Sequence, residues 1–152
     1  MIEIIHGTPD DVAAIMPVMN DAFDPEFGEA WSAVQCLSAL SMPCSQLFLA
    51  KSNDDAVVGF AISRWVMDEE ELLMIGVLSE FRKQRVASSL LDKIRNDATF
   101  CGRIKIFLEV REDNSARNFY HNYGFSEIGR RRGYYTGRDG KTRDAVTMHI
   151  LL

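Results

Sequence analysis

The spacing of apolar side chains changes twice between residues 72 and 110, and this change limits the possible folds more than any other feature of the chain. Leu72 to Val77 is a short apolar run, which is typical of a buried strand. Helical spacing follows in the next apolar residues, which are Val86, Leu90, Leu91, Ile94 and Ala98. Ile104 to Val110 then returns to the alternation of a strand. The region therefore predicts a strand–helix–strand unit.

Shorter segments on both sides of this unit add further elements. Strands are predicted at 2–5, 47–50, 57–65, 125–135 and 143–150, and helices at 9–19, 31–40 and 116–123. The acidic run 68–71 is interpreted as a solvated turn between two strands, with attraction of a basic substrate as the alternative. No linker, repeat or low-complexity tract interrupts the pattern. We therefore expect one mixed α/β domain that spans residues 1–152.

Composition and charge argue against several classes of function. The net charge of −5 disfavours broad nucleic-acid binding, which needs a basic surface. Cys36, Cys44 and Cys101 and the scattered histidines lack the spacing of a metal site or a disulfide framework, so we expect reduced thiols and no metal. The apolar stretch 56–62 is too short to cross a bilayer, and residues 1–11 lack the positive start of a signal peptide. We expect a cytoplasmic protein with neither nucleic acid nor membrane as a partner.

Positive charge is concentrated where the central strand gives way to the long helix. Backbone N–H groups at a helix start form an anion site together with the helix dipole, and Arg82, Lys83 and Arg85 add charge beside it. A pyrophosphate group would fit there. Basic residues at a helix start are also common on ordinary surfaces, so this feature alone leaves both interpretations open.

Three residues further along the chain could take part in catalysis or ligand binding, but each could also have a purely structural role. Glu109 lies near the end of an apolar strand. It is either a carboxylate on the solvated surface or a partly desolvated carboxylate, which could serve as a general base. Tyr120 is either a core aromatic or an acid, and Asn114 is either an N-cap or a ligand-binding amide. Their order along the chain, after the candidate anion site, favours the functional interpretation.

The segment from Ile75 to Phe125, with Arg-x-x-Arg-Val-Ala at 82–87 and the run LEVREDNSARNFYHNYGF, resembles the GNAT acetyltransferase superfamily. Within that superfamily the chain is most similar to the bacterial ribosomal-protein-alanine N-acetyltransferases, through the strand 108–111, the tail 129–145 and Trp31-Ser32. The resemblance implies the GNAT fold. That fold is a mostly antiparallel sheet of six to seven strands, splayed at the centre and flanked by about four helices.

The resemblance also implies a cosubstrate, acetyl-coenzyme A (acetyl-CoA), and a place for its parts. The strand edge at Ile75, Gly76 and Val77 would bind the pantetheine arm. The pyrophosphate would be held, mainly through backbone amides, by Arg82, Lys83, Gln84, Arg85, Val86, Ala87 and Ser88. Asn114 would hydrogen-bond the cofactor.

Roles in catalysis and acceptor binding follow from the same resemblance. Glu109 would deprotonate the acceptor ammonium, directly or through water, and Tyr120 would protonate the departing thiolate. The acceptor would be bound by the 24–31 loop and the terminal hairpin, through Glu29, Trp31, Tyr134 and Tyr135. Acidic residues of the loop, such as Glu26 and Glu29, could attract a basic N-terminal peptide. The basic residues of the hairpin are equally well explained as a solvated surface.

Two features depart from the family pattern. Arg85 stands where the phosphate loop of the family usually has Gly, which is used where backbone approaches a phosphate closely or takes unusual dihedral angles. If position 85 has ordinary helical geometry, the side chain of Arg85 could point outward. If the position requires a residue without a side chain, cofactor binding would weaken. The segment 114–120 is also one residue shorter than the commonest spacing, which loosens the alignment of Asn114.

We therefore predict an acetyl-CoA-dependent N-acetyltransferase that acts by direct transfer on the N-terminal alanine of a small-subunit ribosomal protein. One alternative is a GNAT enzyme for lysine or a small-molecule amine, which would differ in the shape of the acceptor groove. The other is a non-catalytic module that senses CoA, to which only Arg85 points.

Overall fold

A seven-stranded sheet flanked by four α-helices forms the frame of the protein in the computed structural model, which describes residues 1–152. The strands are β1 (Glu3–Gly7), β2 (Ser45–Lys51), β3 (Val57–Val66), β4 (Glu69–Val77), β5 (Lys105–Arg111), β6 (Ser126–Thr136) and β7 (Thr142–Leu151). The helices are α1 (Val12–Ala22), α2 (Ala33–Ser41), α3 (Val86–Phe100) and α4 (Ala116–Tyr123). The predicted mixed α/β fold, with six to seven strands and about four helices, is confirmed.

The sheet has the strand order β1-β2-β3-β4-β5-β7-β6, and every neighbouring pair is antiparallel except β4 and β5. These two parallel strands pair only at their beginnings, where Glu69–Glu71 lies beside Lys105–Phe107. Beyond that point β4 remains paired with β3 as far as Val77, and β5 remains paired with β7 as far as Arg111. The sheet is therefore continuous at one end of β4 and β5 and open at the other.

Different helices cover the two faces of the sheet. On one face, α3 and α4 pack on the even-numbered residues of β5 and β7 and form the larger core. On the other face, α1 and α2 form the second core with residues of β2, β3 and β4. Four odd-numbered residues in the middle of β5 and β7 remain half-buried on that second face. These residues, Phe107, Glu109, Thr147 and His149, are called the open face below. No helix has the length and apolar character needed to cross a membrane.

A β-bulge in β4 reorients this strand just where it separates from β5. Ile62 pairs with Met74 and Ser63 pairs with Leu72, so Leu73 has no partner on β3. Leu72 consequently packs in the core beneath α3, whereas Met74 packs in the core beneath α1. The bulge turns the second half of β4 relative to the first half and helps to separate it from β5.

The acidic run 68–71 was expected to be a solvated turn, and this prediction is wrong for Glu69 to Glu71, which belong to β4. Glu70 is fully buried, and its Oε1 lies 3.3 Å from Nε of Arg103. The Arg103 guanidinium also stacks 4.2 Å above the centre of the Trp65 ring. A carboxylate can be buried here because this guanidinium compensates its charge. The pair joins β4 to the segment that enters β5, at the closed end of the splay.

We predict that Arg103→Met lowers the free energy of unfolding by about 3–5 kcal/mol at pH 7.5, because it leaves Glu70 buried without a counter-charge. Burial raises the pKa of Glu70. A protonated Glu70 has no charge to compensate, so the loss should shrink as the pH falls toward 5. Urea unfolding at both pH values measures this, with Arg132→Met at an exposed position as the control. An equal loss at both pH values would contradict the ionic role of the pair.

Candidate active site

The open end of the splay forms a cleft of about 940 Å³ between β4 and β5. Ligand sites commonly have volumes of 300–1,000 Å³, so the cleft could hold a large organic molecule. Most residues predicted from the sequence line it, namely Glu29, Trp31, Ile75, Gly76, Val77, Arg82, Lys83, Arg85, Val86, Ala87, Ser88, Glu109, Asn114, Tyr120 and Tyr135. We call it the splay cleft.

Two of the predicted site residues do not line the splay cleft. The side-chain amide of Gln84 donates to the carbonyl of Glu80 at 3.2 Å, which directs it back along its own loop. Tyr134 is exposed and stands edge-on to the ring of Tyr135, with the ring centres 5.1 Å apart. Tyr134 therefore supports a lining residue without lining the cleft itself.

The second half of β4 presents a free strand edge to the cleft. The N–H of Leu78 donates to the carbonyl of Val58 on β3 at 2.9 Å. In an antiparallel pair, alternate residues direct their N–H and C=O groups toward the same partner, so Gly76 also faces β3. The backbone groups of Ile75 and Val77 consequently face the cleft, where no strand pairs with them. An extended ligand with amide groups, such as a pantetheine arm, could bind along this edge.

A series of free backbone amides lies at the next corner of the cleft. The first helical hydrogen bond of α3 runs from the N–H of Ser89 to the carbonyl of Arg85 at 3.0 Å. The N–H groups of residues 83–88 donate to no backbone carbonyl, and no side chain caps the start of the helix. Together with the helix dipole they form a binding place for an anion of the size of a diphosphate. The residues present therefore fit the phosphate part of a CoA-type ligand.

The loop before α3 adopts left-handed backbone geometry at two residues. Lys83 has φ 61° and Arg85 has φ 64°, a region in which a side chain costs about 1–2 kcal/mol relative to Gly. The position of Arg85 thus does not have ordinary helical geometry, and the preference of the family for Gly there has a physical reason. The backbone nevertheless adopts the required turn, which leaves the amides of residues 86–88 facing the cleft.

Glu109 and Tyr120 reach the cleft from opposite faces of β5. Leu108 and Val110 lie in the core beneath α3 and α4, together with Tyr120 of α4. Since side chains alternate along a strand, Glu109 lies on the other face, the open face. Both residues nevertheless line the splay cleft, because the sheet is interrupted beside β5. The cleft therefore passes through the sheet.

The two carboxylate oxygens of Glu109 have different surroundings. Oε1 lies 3.2 Å from Nη2 of Arg131, which extends from β6 and stacks on Tyr134. Oε2 is buried and has no hydrogen-bond partner in the protein. A buried carboxylate oxygen without a donor is costly, so Oε2 is available to a proton or an ammonium group that enters the cleft.

Tyr120 is 6% exposed and packs between two aromatic rings of α4 and its C-terminal end, Phe119 and Phe125. Burial raises the pKa of its phenol well above the usual value, so the hydroxyl remains protonated at every working pH. Tyr120 can therefore donate a proton but does not carry a charge when no ligand is present.

Asn114 lies at the start of α4 and at the wall of the cleft. Its Oδ1 accepts a hydrogen bond of 2.9 Å from the N–H of Ala116 in the first turn of α4, as an N-cap does. The residue also lines the splay cleft. Capping uses only the oxygen of the side chain, so the amide N–H groups remain available to a ligand.

The 24–31 loop and the β6–β7 hairpin meet at the other end of the cleft. The N–H of Arg138 in the hairpin donates to the carbonyl of Glu26 in the loop at 3.0 Å. Phe27 inserts beneath two guanidinium groups, with Arg111 at 3.5 Å and Arg143 at 5.0 Å from its ring centre. The two segments that were expected to bind the acceptor are therefore joined to each other.

Glu29 enters the cleft with its charge already compensated. Its carboxylate forms an ion pair with Arg111, a nearly buried residue that also binds Asp113. Burial raises the pKa of Glu29, while the Arg111 guanidinium acts in the opposite direction. Burial also raises the pKa of Tyr135 to about 12, and the charges of Glu29 and Glu109 add to this shift. Glu29, Glu109 and Tyr135 thus form one cluster at this end of the cleft.

Sequence reasoning missed two arginines at the site. Arg111 holds the 24–31 loop through Glu29 and Phe27, and Arg131 holds Glu109. The available signal for Arg111 was its position two residues after Glu109, which places both side chains on the same face of β5. In the sequence, Arg131 is only one of the basic residues of the hairpin, and no feature of the neighbouring sequence distinguishes it from the other arginines there.

Comparisons with known proteins agree with this geometry. Residues 43–127 match the family described as the acetyltransferase (GNAT) domain. The ribosomal protein bS18-alanine N-acetyltransferase of Haemophilus influenzae is 36% identical over 100 residues, which are 66% of this chain and 68% of that protein. The enzyme of the same name from Haemophilus ducreyi is 34% identical over 107 residues, 70% of this chain and 74% of that protein.

Solved structures show the same similarity in three dimensions. The crystal structure of a ribosomal-protein-alanine N-acetyltransferase from Escherichia coli superposes with a TM-score of 0.87 at 28% identity and covers 99% of this chain and 94% of that one. Arabidopsis thaliana NAA60, solved with a bisubstrate analogue, shares the fold with a TM-score of 0.83 at 15% identity, over 99% of this chain and 98% of that one. The chain therefore belongs to the GNAT family and is an acetyltransferase.

Proposed function

We propose that this acetyltransferase transfers the acetyl group of acetyl-CoA directly to the N-terminal amino group of a protein that begins with a small residue. One observation carries the proposal: a single cleft contains free anion-binding amides, a protonated phenol and a carboxylate oxygen without a partner. These groups match the phosphate, the leaving sulfur and the acceptor ammonium of such a reaction.

The cosubstrate would be bound mainly by backbone. Ile75 and Val77 would pair with the amide groups of the pantetheine arm, and the amides of residues 83–88 would hold the diphosphate. The free amide group of Asn114 would donate to the same arm. Bound acetyl-CoA supplies an activated acetyl thioester, whose carbonyl carbon is attacked by the acceptor.

Glu109 would act as the base at the other face of the sheet. An α-amino group has a pKa near 8 in model peptides, so most of it is protonated and unreactive at neutral pH. Oε2 would accept one proton from this ammonium, directly or through water, while Arg131 holds Oε1 and fixes the carboxylate. The amine that results can attack the thioester.

Tyr120 would act as the acid. A departing thiolate belongs to a thiol with a pKa of about 8.5, so it needs only a weak proton donor. The buried phenol of Tyr120 remains protonated and would supply this proton. The second proton that the nitrogen loses as the amide forms would restore the phenol, so only the proton on Glu109 remains to be released. No covalent intermediate is needed, and none of the cysteines lines the cleft.

The relatives support a protein N-terminus as the acceptor. Two of them are named as enzymes for the alanine end of ribosomal protein bS18, and the likeness in structure extends over nearly the whole chain. The acceptor end of the cleft lies between Trp31, Glu29 and Tyr135, in a segment where the loop and the hairpin are joined. We propose an N-terminal alanine of a small-subunit ribosomal protein as the acceptor.

Thiol release from acetyl-CoA, measured with a panel of acceptors, tests the proposed substrate class. The panel contains short peptides that differ only in their first residue, the alanine peptide with a blocked N-terminus, free lysine and polyamines. We expect turnover with a free alanine or another small first residue and none with the blocked peptide. Turnover confined to lysine or polyamines would contradict the proposal and favour a GNAT enzyme for other amines.

The base is tested by Glu109→Gln. We predict a rate lower by roughly 10²–10³-fold, with the largest loss below neutral pH, where more of the acceptor is protonated. Affinity for acetyl-CoA should be unchanged, since Glu109 lies away from the free amides. Glu3→Gln, at an exposed position of β1, is the matched control and should behave as wild type. A pH–rate profile of normal shape and height in Glu109→Gln would exclude Glu109 as the base.

A further inference from the structure

Five buried side-chain polar atoms in the protein have no hydrogen-bond partner. Three of them belong to Glu70 and Arg103, whose Oε1 and Nε lie 3.3 Å apart in an ion pair. The other two are Oε2 of Glu109 and Nδ1 of His149. Neither the cleft lining nor the proposed mechanism so far involves His149, so its buried nitrogen has no explanation.

The strand register places His149 beside Glu109. On the antiparallel pair β5–β7, Glu109 lies opposite Thr147 and Phe107 lies opposite His149. Glu109 and His149 are thus diagonal neighbours on the open face, and side chains in such positions are within reach of each other.

Both atoms have the same requirement. A buried polar atom without a partner costs about 1–3 kcal/mol, and a water molecule in a small polar site is stable when it finds two or more partners. Oε2 of Glu109 accepts hydrogen bonds, and Nδ1 of His149 accepts them in the tautomer that carries its proton on Nε2. The hydroxyl of Thr147 stands between them on the same face. One water molecule can donate to both acceptors at once.

The proposed reaction also needs an exit for a proton. An ammonium acceptor and a thioester become a neutral amide and a neutral thiol, so one proton leaves the site in every cycle. Glu109 must lose the proton it has accepted before the next ammonium can bind productively. Arg131 occupies Oε1 and cannot accept a proton, so the proton leaves from Oε2.

We infer that His149 is the proton relay of this enzyme: protonated Glu109 passes its proton through a bridging water to Nδ1 of His149. This inference rests on the proposed function of Glu109. In the step, the O–H bond of the carboxyl group breaks, a proton moves along the water, and an N–H bond forms on the imidazole. His149 is half-buried. Of its two ring nitrogens, Nδ1 is the buried one without a partner and Nε2 is not. The imidazolium therefore releases a proton from Nε2 to bulk water.

Other charged groups on this face do not offer an equivalent route. Charged residues that face His149 from its own sheet are Glu109 and Lys105 on β5, Arg131 on β6, Glu71 on β4 and Arg64 on β3. Lys105 pairs with Glu69 at 3.0 Å, and Glu71 pairs with Arg64 at 2.8 Å. His149 is the one group among them whose side chain can accept a proton at one ring nitrogen and donate one from the other.

The test is His149→Asn, which keeps a hydrogen-bonding group near the position of Nδ1 but cannot carry a proton. The steady-state turnover rate is measured at saturating acetyl-CoA and alanine-starting peptide, with and without added imidazole. We expect a roughly tenfold lower rate at neutral pH that imidazole restores, with unchanged affinity for acetyl-CoA. Wild type and the control His121→Asn, at an exposed position of α4, should not respond to imidazole.

Two results would overturn the relay. One is a wild-type rate in His149→Asn, and the other is a lower rate that imidazole does not restore, as expected for a purely structural role. Glu109→Gln in the same assay separates this inference from the proposed function. A slow Glu109→Gln beside a normal His149→Asn contradicts the relay alone, whereas a normal Glu109→Gln contradicts the assignment of the base.

Discussion

The short pairing between β4 and β5 is the constraint on which the rest of the structure depends. Parallel strands joined by a helix usually pair along their whole length, but here the contact ends after Glu71 and Phe107. The buried Glu70–Arg103 pair lies at the closed end, and the bulge at Leu73 lies where the strands separate. Had the pairing continued, the cleft would be filled by backbone hydrogen bonds. Instead, a free strand edge, free helix amides and both candidate catalytic side chains meet in one space.

A second principle is that nearly every charge near the acceptor end is held by an opposite one. Arg111 binds Glu29 and Asp113, and Arg131 binds one oxygen of Glu109. Such pairs fix side chains that would otherwise sample several rotamers, and fixed groups need less reorganisation during a reaction. The exception is Oε2 of Glu109, which has no partner in the protein. An oxygen without a partner inside a network of satisfied charges is a reasonable place for a reacting proton.

Local patterns in the sequence predicted the elements but not their long-range partners. The strand–helix–strand unit followed from apolar spacing, and the candidate anion site was suggested by the basic residues before α3, because both depend on neighbouring residues. Glu70 was placed in a solvated turn because its partner Arg103 lies far along the chain and only the fold brings them together. Arg131 and His149 were likewise inaccessible to sequence reasoning, since their positions relative to Glu109 depend on the register of β5, β7 and β6. The left-handed geometry of Arg85 also required coordinates, because Arg rarely adopts it.

The central claim is that both substrates occupy the two halves of one cleft at the same time and react directly. Initial rates measured while acetyl-CoA and an acceptor peptide are both varied test this claim most directly. Direct transfer predicts double-reciprocal lines that intersect, because a complex with both substrates must form before any product leaves. Parallel lines, together with a burst of free thiol in the absence of acceptor, would show a covalent acetyl-enzyme and contradict the account.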